Sequence, residues 1–373
     1  MIRSIPKGPA LAASVLALSA LAPVPAAADA VADFYKGKSM RMIISTSPGA
    51  GYDVYARFMA RHLGKFIPGH PGFVNQNMPG AGHMRAGQFM AMQAPRDGSV
   101  IGTISQGMPF SQISTPQQVK FDTSKFLWIG NPIEINNVLE LWHTTGVKSL
   151  KDMQAKEIVL GASGAASTSG LYPRAMNNIL GTKFKIIVGF KGGNEMNLAM
   201  ERGEISGRGS NAWASLKGIT PHYLKENKVI VPVQMGLKRE KDLPNVPMLW
   251  ELGRNEAETR VLKMMSALPA IGRPLFTPPD VPADRVKALR AAFDQTVKSK
   301  AFLDEAARAK LEINPVSGEE LQKIVEEMVN APDDLKKLAQ AAVTKGAVFD
   351  CKALVADAKL CAPAKKKKKK KSG

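Results

Sequence analysis

From Lys38 onward the chain repeats one unit: a short β-rich segment, a glycine-containing turn, and a stretch with helical periodicity. Residues 41–45 read as the first strand, Pro48-Gly49-Ala50-Gly51 as the turn and residues 52–67 as the helix. Within that helix Tyr55, Phe58, Met59, Leu63 and Phe66 recur at three- and four-residue steps and make one apolar face. The unit returns as residues 73–77, the turn Met78-Pro79-Gly80-Ala81-Gly82 and a helix over residues 83–93, and a further strand at 100–104 follows Pro95-Arg96-Asp97-Gly98. Strands alternating with helices predict an α/β fold, with parallel sheets covered on both faces.

A second block begins after Trp128-Ile129-Gly130, with strands expected at 138–142, 158–161 and 185–190 and helices at 170–180 and 194–202. Residues 229–234 are apolar enough to form a strand returning to the first block. Helices then dominate, over 282–299, 302–310, 318–330 and 333–345, several opened by Pro or Asp. The expected division is a discontinuous first domain of residues 31–131 plus 236–350, a second domain of residues 132–235, and a C-terminal segment of residues 351–373. A chain of 373 residues is long enough for two such cores.

Residues 1–28 read as a secretory signal: Arg3 and Lys7 make a positive start, residues 10–24 an apolar run, and Ala26-Ala27-Ala28 a small-residue cleavage site. Pro23 and Pro25 interrupt the run, which is shorter than the about 20 residues of a spanning helix, so export with cleavage is expected over anchoring. The only cysteines, Cys351 and Cys361, would be free to bridge in an oxidising compartment; two unpaired thiols are the alternative. Lysines fill positions 365–371, a solvated tail. Lys plus Arg exceed Asp plus Glu by 19; without those seven lysines and the two leader cations the body stands at +10, which favours anionic partners. With no aromatic residues interleaved, the tail does not call for a specific nucleic acid.

Three or four of the Gly- or Ser-rich loops follow a strand and precede a helix. The first N–H groups of a helix have no internal partner and its dipole adds positive charge, so carboxylates and phosphates bind there. Gly49, Gly51, Gly80 and Gly82 would admit a ligand to the backbone, and Ser163, Ser167 and Thr168 add hydroxyls. Ordinary tight turns are the alternative for any one loop; paired loops in two similar blocks point to a cleft between the blocks. Other chemistries fail on spacing. Val54 stands where a dinucleotide fingerprint needs a third small residue, and no acidic residue follows about 20 positions on. No phosphate-binding P-loop occurs, Ala165 breaks the nucleophile elbow, and five scattered histidines lack a zinc spacing. No catalytic residue, metal or cofactor is therefore expected.

Single residues keep two readings. Asp53 caps the first helix or meets a ligand; His83 donates to a ligand or faces solvent; Arg208 pairs with a ligand carboxylate or with a neighbouring acid; Lys191 carries the same doubt. Trp142 and Trp213 stack on an aromatic ligand or belong to the core.

Pro48-Gly49-Ala50-Gly51-Tyr52-Asp53, Asn77-Met78-Pro79-Gly80-Ala81-Gly82, Pro95-Arg96-Asp97-Gly98 and Asn245-Val246-Pro247 together resemble the substrate-binding proteins of tripartite tricarboxylate transporters, the Bug-type receptors, from about Tyr35 to about Val343. The resemblance implies a type II periplasmic-binding-protein fold: two doubly wound α/β domains joined by crossover strands, closing by a hinge on a small organic acid. It implies a periplasmic monomer that delivers the acid to membrane permease subunits; a receptor reporting occupancy to a sensor kinase is the alternative. Carried over, the ligand-binding positions are Ala50, Gly51, Tyr52 and Asp53, then Gly80, Ala81, Gly82 and His83, then Ser163, Gly164, Ser167 and Thr168. Three departures stand out: His83 where many members continue with Gly, Leu171-Tyr172 where many have His-Leu, and Arg208 where many have an apolar residue. The last adds Arg208 to the ligand-binding set.

Overall fold

The structure, a computed structural model, describes Met1 and residues 26–364. Most of the signal segment and the whole lysine run lie outside the described residues. Helix α1 (Ala26–Tyr35) leads into β1 (Ser39–Ile44). Along β1 successive side chains point to opposite faces: Met40, Met42 and Ile44 enter a core with Phe58, Leu63 and Phe293, whereas Ile43 enters another with Met90, Phe126 and Trp128. Helix α2 (Gly51–Leu63), β2 (Gly72–Asn77), α3 (Met84–Met92) and β3 (Val100–Gly102) follow, and β2 and β3 flank β1 in parallel register. Helix α4 (Met108–Ser114) then precedes β4 (Leu127–Asn131).

The second sheet collects β5 (Asn137–Trp142), α5 (Leu150–Ala155), β6 (Ile158–Ala162), α6 (Thr168–Ala175), β7 (Phe184–Val188), α7 (Gly193–Glu201), β8 (Gly207–Ala212), α8 (Trp213–Ile219), α9 (Pro221–Lys225), β9 (Val229–Ile230) and β10 (Gln234–Met235). The chain then runs through α10 (Glu256–Ser266), β11 (Leu275–Thr277), α11 (Ala283–Lys298), α12 (Lys300–Arg308), β12 (Val316–Ser317), α13 (Gly318–Val329), α14 (Asp333–Val343) and α15 (Cys351–Leu354). Strand order is β12-β4-β11-β3-β1-β2 in the first sheet and β10-β5-β8-β6-β7 in the second, with β9 also on β5.

Two expectations need correction. The sheets are mixed: β11 runs antiparallel between β3 and β4, and β5 antiparallel to β8. These strands enter from the other sheet, so no βαβ crossover sets their direction. Residues 229–234 do not return to the first sheet. They stay on β5, where Ile230 opposes Leu141 and Gln234 opposes Val138, four steps against three; the extra residue falls in the stretch 231–233, which includes Pro232 with no N–H to give to a ladder. The return is made instead by β11, whose three residues were too short to stand out.

At that junction Phe276 packs with ring centroids 4.5 Å from Phe126 and 5.2 Å from Trp128, all fully buried. Cys351 and Cys361 are joined in a disulfide, and Ala364 N–H donates to the Arg254 carbonyl at 2.8 Å, fastening the C-terminal segment beside α10. Among the described residues no helix is long and apolar enough to cross a membrane. Because the aromatic stack anchors β11, Phe276→Ala is expected to lower unfolding free energy by about 3–5 kcal/mol, read from urea denaturation midpoints.

Candidate ligand-binding site

Three helices open onto one cavity between the sheets. Ala50 to Tyr52 at the start of α2, Ser167 to Ser169 at the start of α6 and Gly192 to Asn194 at the start of α7 all lie in its wall. None of these helices has a side-chain cap. By contrast α5, α10, α12 and α13 are capped by Ser149, Asn255, Ser299 and Ser317. The N–H groups of Gly51, Tyr52, Thr168, Ser169, Gly193 and Asn194 find no acceptor among the described residues. Open donors and three dipole ends therefore add in one place, the arrangement that attracts an anion.

Two guanidinium groups reach the same wall. A Cβ on Gly51 would lie 2.7 Å from Arg273 Nη2, and one on Gly193 2.6 Å from Arg208 Nη2, so a side chain at either position would push the guanidinium aside. Arg208 Nη1 donates to Asn197 at 2.8 Å and stands 3.6 Å from Glu140, whose carboxylate also accepts from Asn211 at 2.8 Å. Burial raises the Glu140 pKa and lowers that of Arg208, each charge opposing the other's shift. The guanidinium nevertheless keeps its proton throughout the physiological range. Arg273 was not singled out from the sequence. It donates through Nη2 to Ser215 at 3.0 Å and lies 4.3 Å from the Tyr52 ring. Gln106 and Asn211 also line the cavity and were likewise missed.

Of the residues singled out, Gly49, Ala50, Gly51, Tyr52, His83, Ser163, Ser167, Thr168 and Arg208 line the cavity. His83 is buried, with Nδ1 2.8 Å from Ser45 Oγ and its ring edge-on to Tyr52. Burial, helped by the Arg273 charge, pushes its pKa down to about 3, so the imidazole is neutral near pH 7. Asp53, Gly80, Ala81, Gly82 and Gly164 lie behind the wall. Of its two readings Asp53 shows the one at the helix start: its carboxylate accepts from Gly49 N–H (2.9 Å), Arg57 Nε (2.8 Å) and Asn77 Nδ2 (2.7 Å), which fixes the loop ahead of α2. Ala81, Gly82 and His83 have φ of 47°, 62° and 77°. Each of the two non-glycines stores about 1 kcal/mol or more of backbone strain. Gly82 and Gly164 meet backbone to backbone: a Cβ on Gly164 would lie 2.5 Å from Gly82 N. A second contact joins the loops before α2 and α7, with Ser47 N–H donating to Lys191 C=O at 3.1 Å and Asn194 Nδ2 to Pro48 C=O at 3.0 Å. Trp142 and Trp213 pack in the core of the second sheet, away from the cavity.

A family profile described as "Tripartite tricarboxylate transporter family receptor" matches residues 55–339. A Cupriavidus necator protein, "UPF0065 protein in gbd 5'region", is 26% identical over 310 residues, 81% of this chain and 86% of its own length. Among solved structures, MatC from Rhodopseudomonas palustris with bound malate superposes with a TM-score of 0.64 at 17% identity, covering 83% of this chain and 99% of its own. A second R. palustris protein, Rpa4515, with adipate, gives 0.62 at 18%, covering 81% and 97%. The periplasmic binding protein BugD gives 0.65 at 18%, covering 83% and 98%. The two-domain periplasmic-binding-protein fold is thereby established for this chain.

The buried neutral imidazole sets a stability window. Between the unfolded histidine pKa of about 6.5 and the folded value of about 3, the unfolded chain binds a proton that the folded chain does not. Stability from this residue is complete above about pH 6.5 and falls by as much as about 1.4 kcal/mol per unit as pH drops below it. His83→Gln is expected to flatten that slope, measured as the urea midpoint from pH 7 down to pH 4. At the loop contact, Gly164→Ala is expected to weaken ligand binding by about tenfold or more through loss of close approach, measured by titration calorimetry.

Proposed function

The chain belongs to the tripartite tricarboxylate transporter receptor family, a family of binding proteins and not of enzymes, and from that premise we propose that it captures a small organic acid in the cavity between its two lobes and delivers it to the permease subunits of such a transporter. One observation carries the acid assignment. Three uncapped helix N-termini and an arginine without a carboxylate partner converge on the cavity, while the nearby carboxylates of Asp53 and Glu140 are bonded elsewhere. Malate and adipate, held by two proteins of the same fold, support the same ligand class.

The protein works in the periplasm as a monomer, after removal of residues 1–28 as a signal peptide. Residues 31–131 with 236–350 form the first lobe and residues 132–235 the second, and the ligand is held where they meet. About four charge-assisted hydrogen bonds at roughly 1.5–3 kcal/mol each, less the cost of closure, leave about −8 kcal/mol, a micromolar affinity.

A thermal-shift and calorimetric screen against mono-, di- and tricarboxylates is expected to give a saturable rise in Tm for one class of acid. Thr168→Pro removes the free N–H at the first position of α6, where proline is well tolerated, together with the hydroxyl that accepts from Ser210 at 3.4 Å. It is expected to weaken that binding by about tenfold or more while leaving the ligand-free Tm in place. Absence of binding by every acid, or full affinity in Thr168→Pro together with Gly164→Ala, would sink the assignment.

A further inference from the structure

Only two arginines are buried among the described residues, Arg208 and Arg273, each 8% exposed. Arg208 has Glu140 as its counter-charge. Arg273 has none: its side chain donates to the neutral Ser215, and its Nε finds no acceptor. Glu312, which shares Tyr55 as a neighbour, gives its carboxylate to Lys217 at 2.6 Å. A buried charge without a partner is strongly unfavourable, and the face of Tyr52 at 4.3 Å offsets only part of that. The missing anion belongs in the cavity.

Its position says which kind of anion. Arg273 sits against Gly51 at the start of α2, whereas the open N–H groups of α6 and α7, with Arg208 beside Gly193, come from the other lobe. Two carboxylates, one for the donors of each lobe, would neutralise both groups. The cavity is about 80 Å³, room for roughly five to eight waters, so the spacer between two anionic ends is short. We infer that Arg273 is the specificity-determining residue of the cavity, pairing with the second carboxylate of a short dicarboxylic acid whose first carboxylate rests on the α6 and α7 N-termini. This deepens the organic-acid reading and rests on it. Because Arg273 enters from the segment before β11 and also bonds Ser215 on α8, the same carboxylate ties the two lobes together.

The test is titration calorimetry on the purified protein and on Arg273→Gln and Arg273→Lys, with a series of linear dicarboxylates of three to six carbons and the monoamide of each. The wild type should bind its best diacid, of four or five carbons, about 10- to 100-fold tighter than the matching monoamide. Arg273→Gln should erase that preference by weakening the diacid and sparing the monoamide, and Arg273→Lys should restore part of it. A merely structural arginine would weaken both probes by the same factor; that result, or a preference unchanged in Arg273→Gln, overturns the inference. Should Arg273→Gln fail to fold, Arg273→Lys decides, since an unchanged diacid preference without the planar fork also overturns it. A wild type that binds monoamides as tightly as diacids refutes the role of Arg273 alone, whereas one that binds no acid refutes the organic-acid reading itself.

Discussion

Positive helix ends converge on one small cavity, and much of the surrounding structure is organised so that nothing in the protein neutralises them. A single aspartate placed at any of these N-termini would cap it and take up its open donors. Asp53 is in the first turn of α2, yet three hydrogen bonds turn its carboxylate back toward Gly49, Arg57 and Asn77. Glu140, fully buried in β5, is held by Asn211 and Arg208. The glycines at the helix starts then have a second role beyond flexibility, because any side chain at Gly51 or Gly193 would displace a guanidinium.

The loop contacts at the cavity differ in kind from the apolar packing of the rest of the fold. Phe126, Trp128 and Phe276 or Met40, Met42 and Phe58 are fully enclosed apolar side chains whose removal costs several kcal/mol each. The loops that meet across the cavity use a few hydrogen bonds, Ser47 to Lys191, Asn194 to Pro48 and Arg273 to Ser215, at about 0.5–1.5 kcal/mol net apiece. Their sum, about 1.5–4.5 kcal/mol, is smaller than the about 8 kcal/mol of a micromolar ligand. Away from the cavity the two halves also share apolar packing, with Leu171, Tyr172 and Met176 in one buried cluster with Met265 and Leu338.

Sequence reading did well where a signal is local. The strand, Pro-Gly turn and helix at β1 and α2 declare themselves within about 25 residues, and so do the small-residue loop before α6 and Gly192-Gly193 before α7. It did poorly where structure depends on distant partners. Residues 229–234 have the composition of a strand in either sheet, and only the pairing with β5 decides between them. Leu275 to Thr277 is too short for periodicity, and Arg273 lies in an unremarkable Gly-Arg-Pro triplet more than 200 residues from the Gly51 it touches. Only its apposition to Tyr52 and Ser215 sets it apart from a surface arginine. Asp53 shows the converse, a residue in the right loop whose side chain is aimed the wrong way.

Two buried arginines raise the question of which supplies net charge to a ligand. Arg208 lies 3.6 Å from Glu140, so at a distance of several ångströms the pair acts as a dipole whose field falls off faster than that of a lone charge. Such a pair contributes little to stability, since its attraction is set against the loss of hydration of both ions; its retention orients Asn197 and Asn211 in the wall. Arg273 has no opposing charge, and His83 beside it is held neutral by burial. The cavity therefore carries one uncompensated guanidinium plus the partial charges of three helix ends. The attraction of that combination for an anion is largest, relative to water, when the space around it is dry.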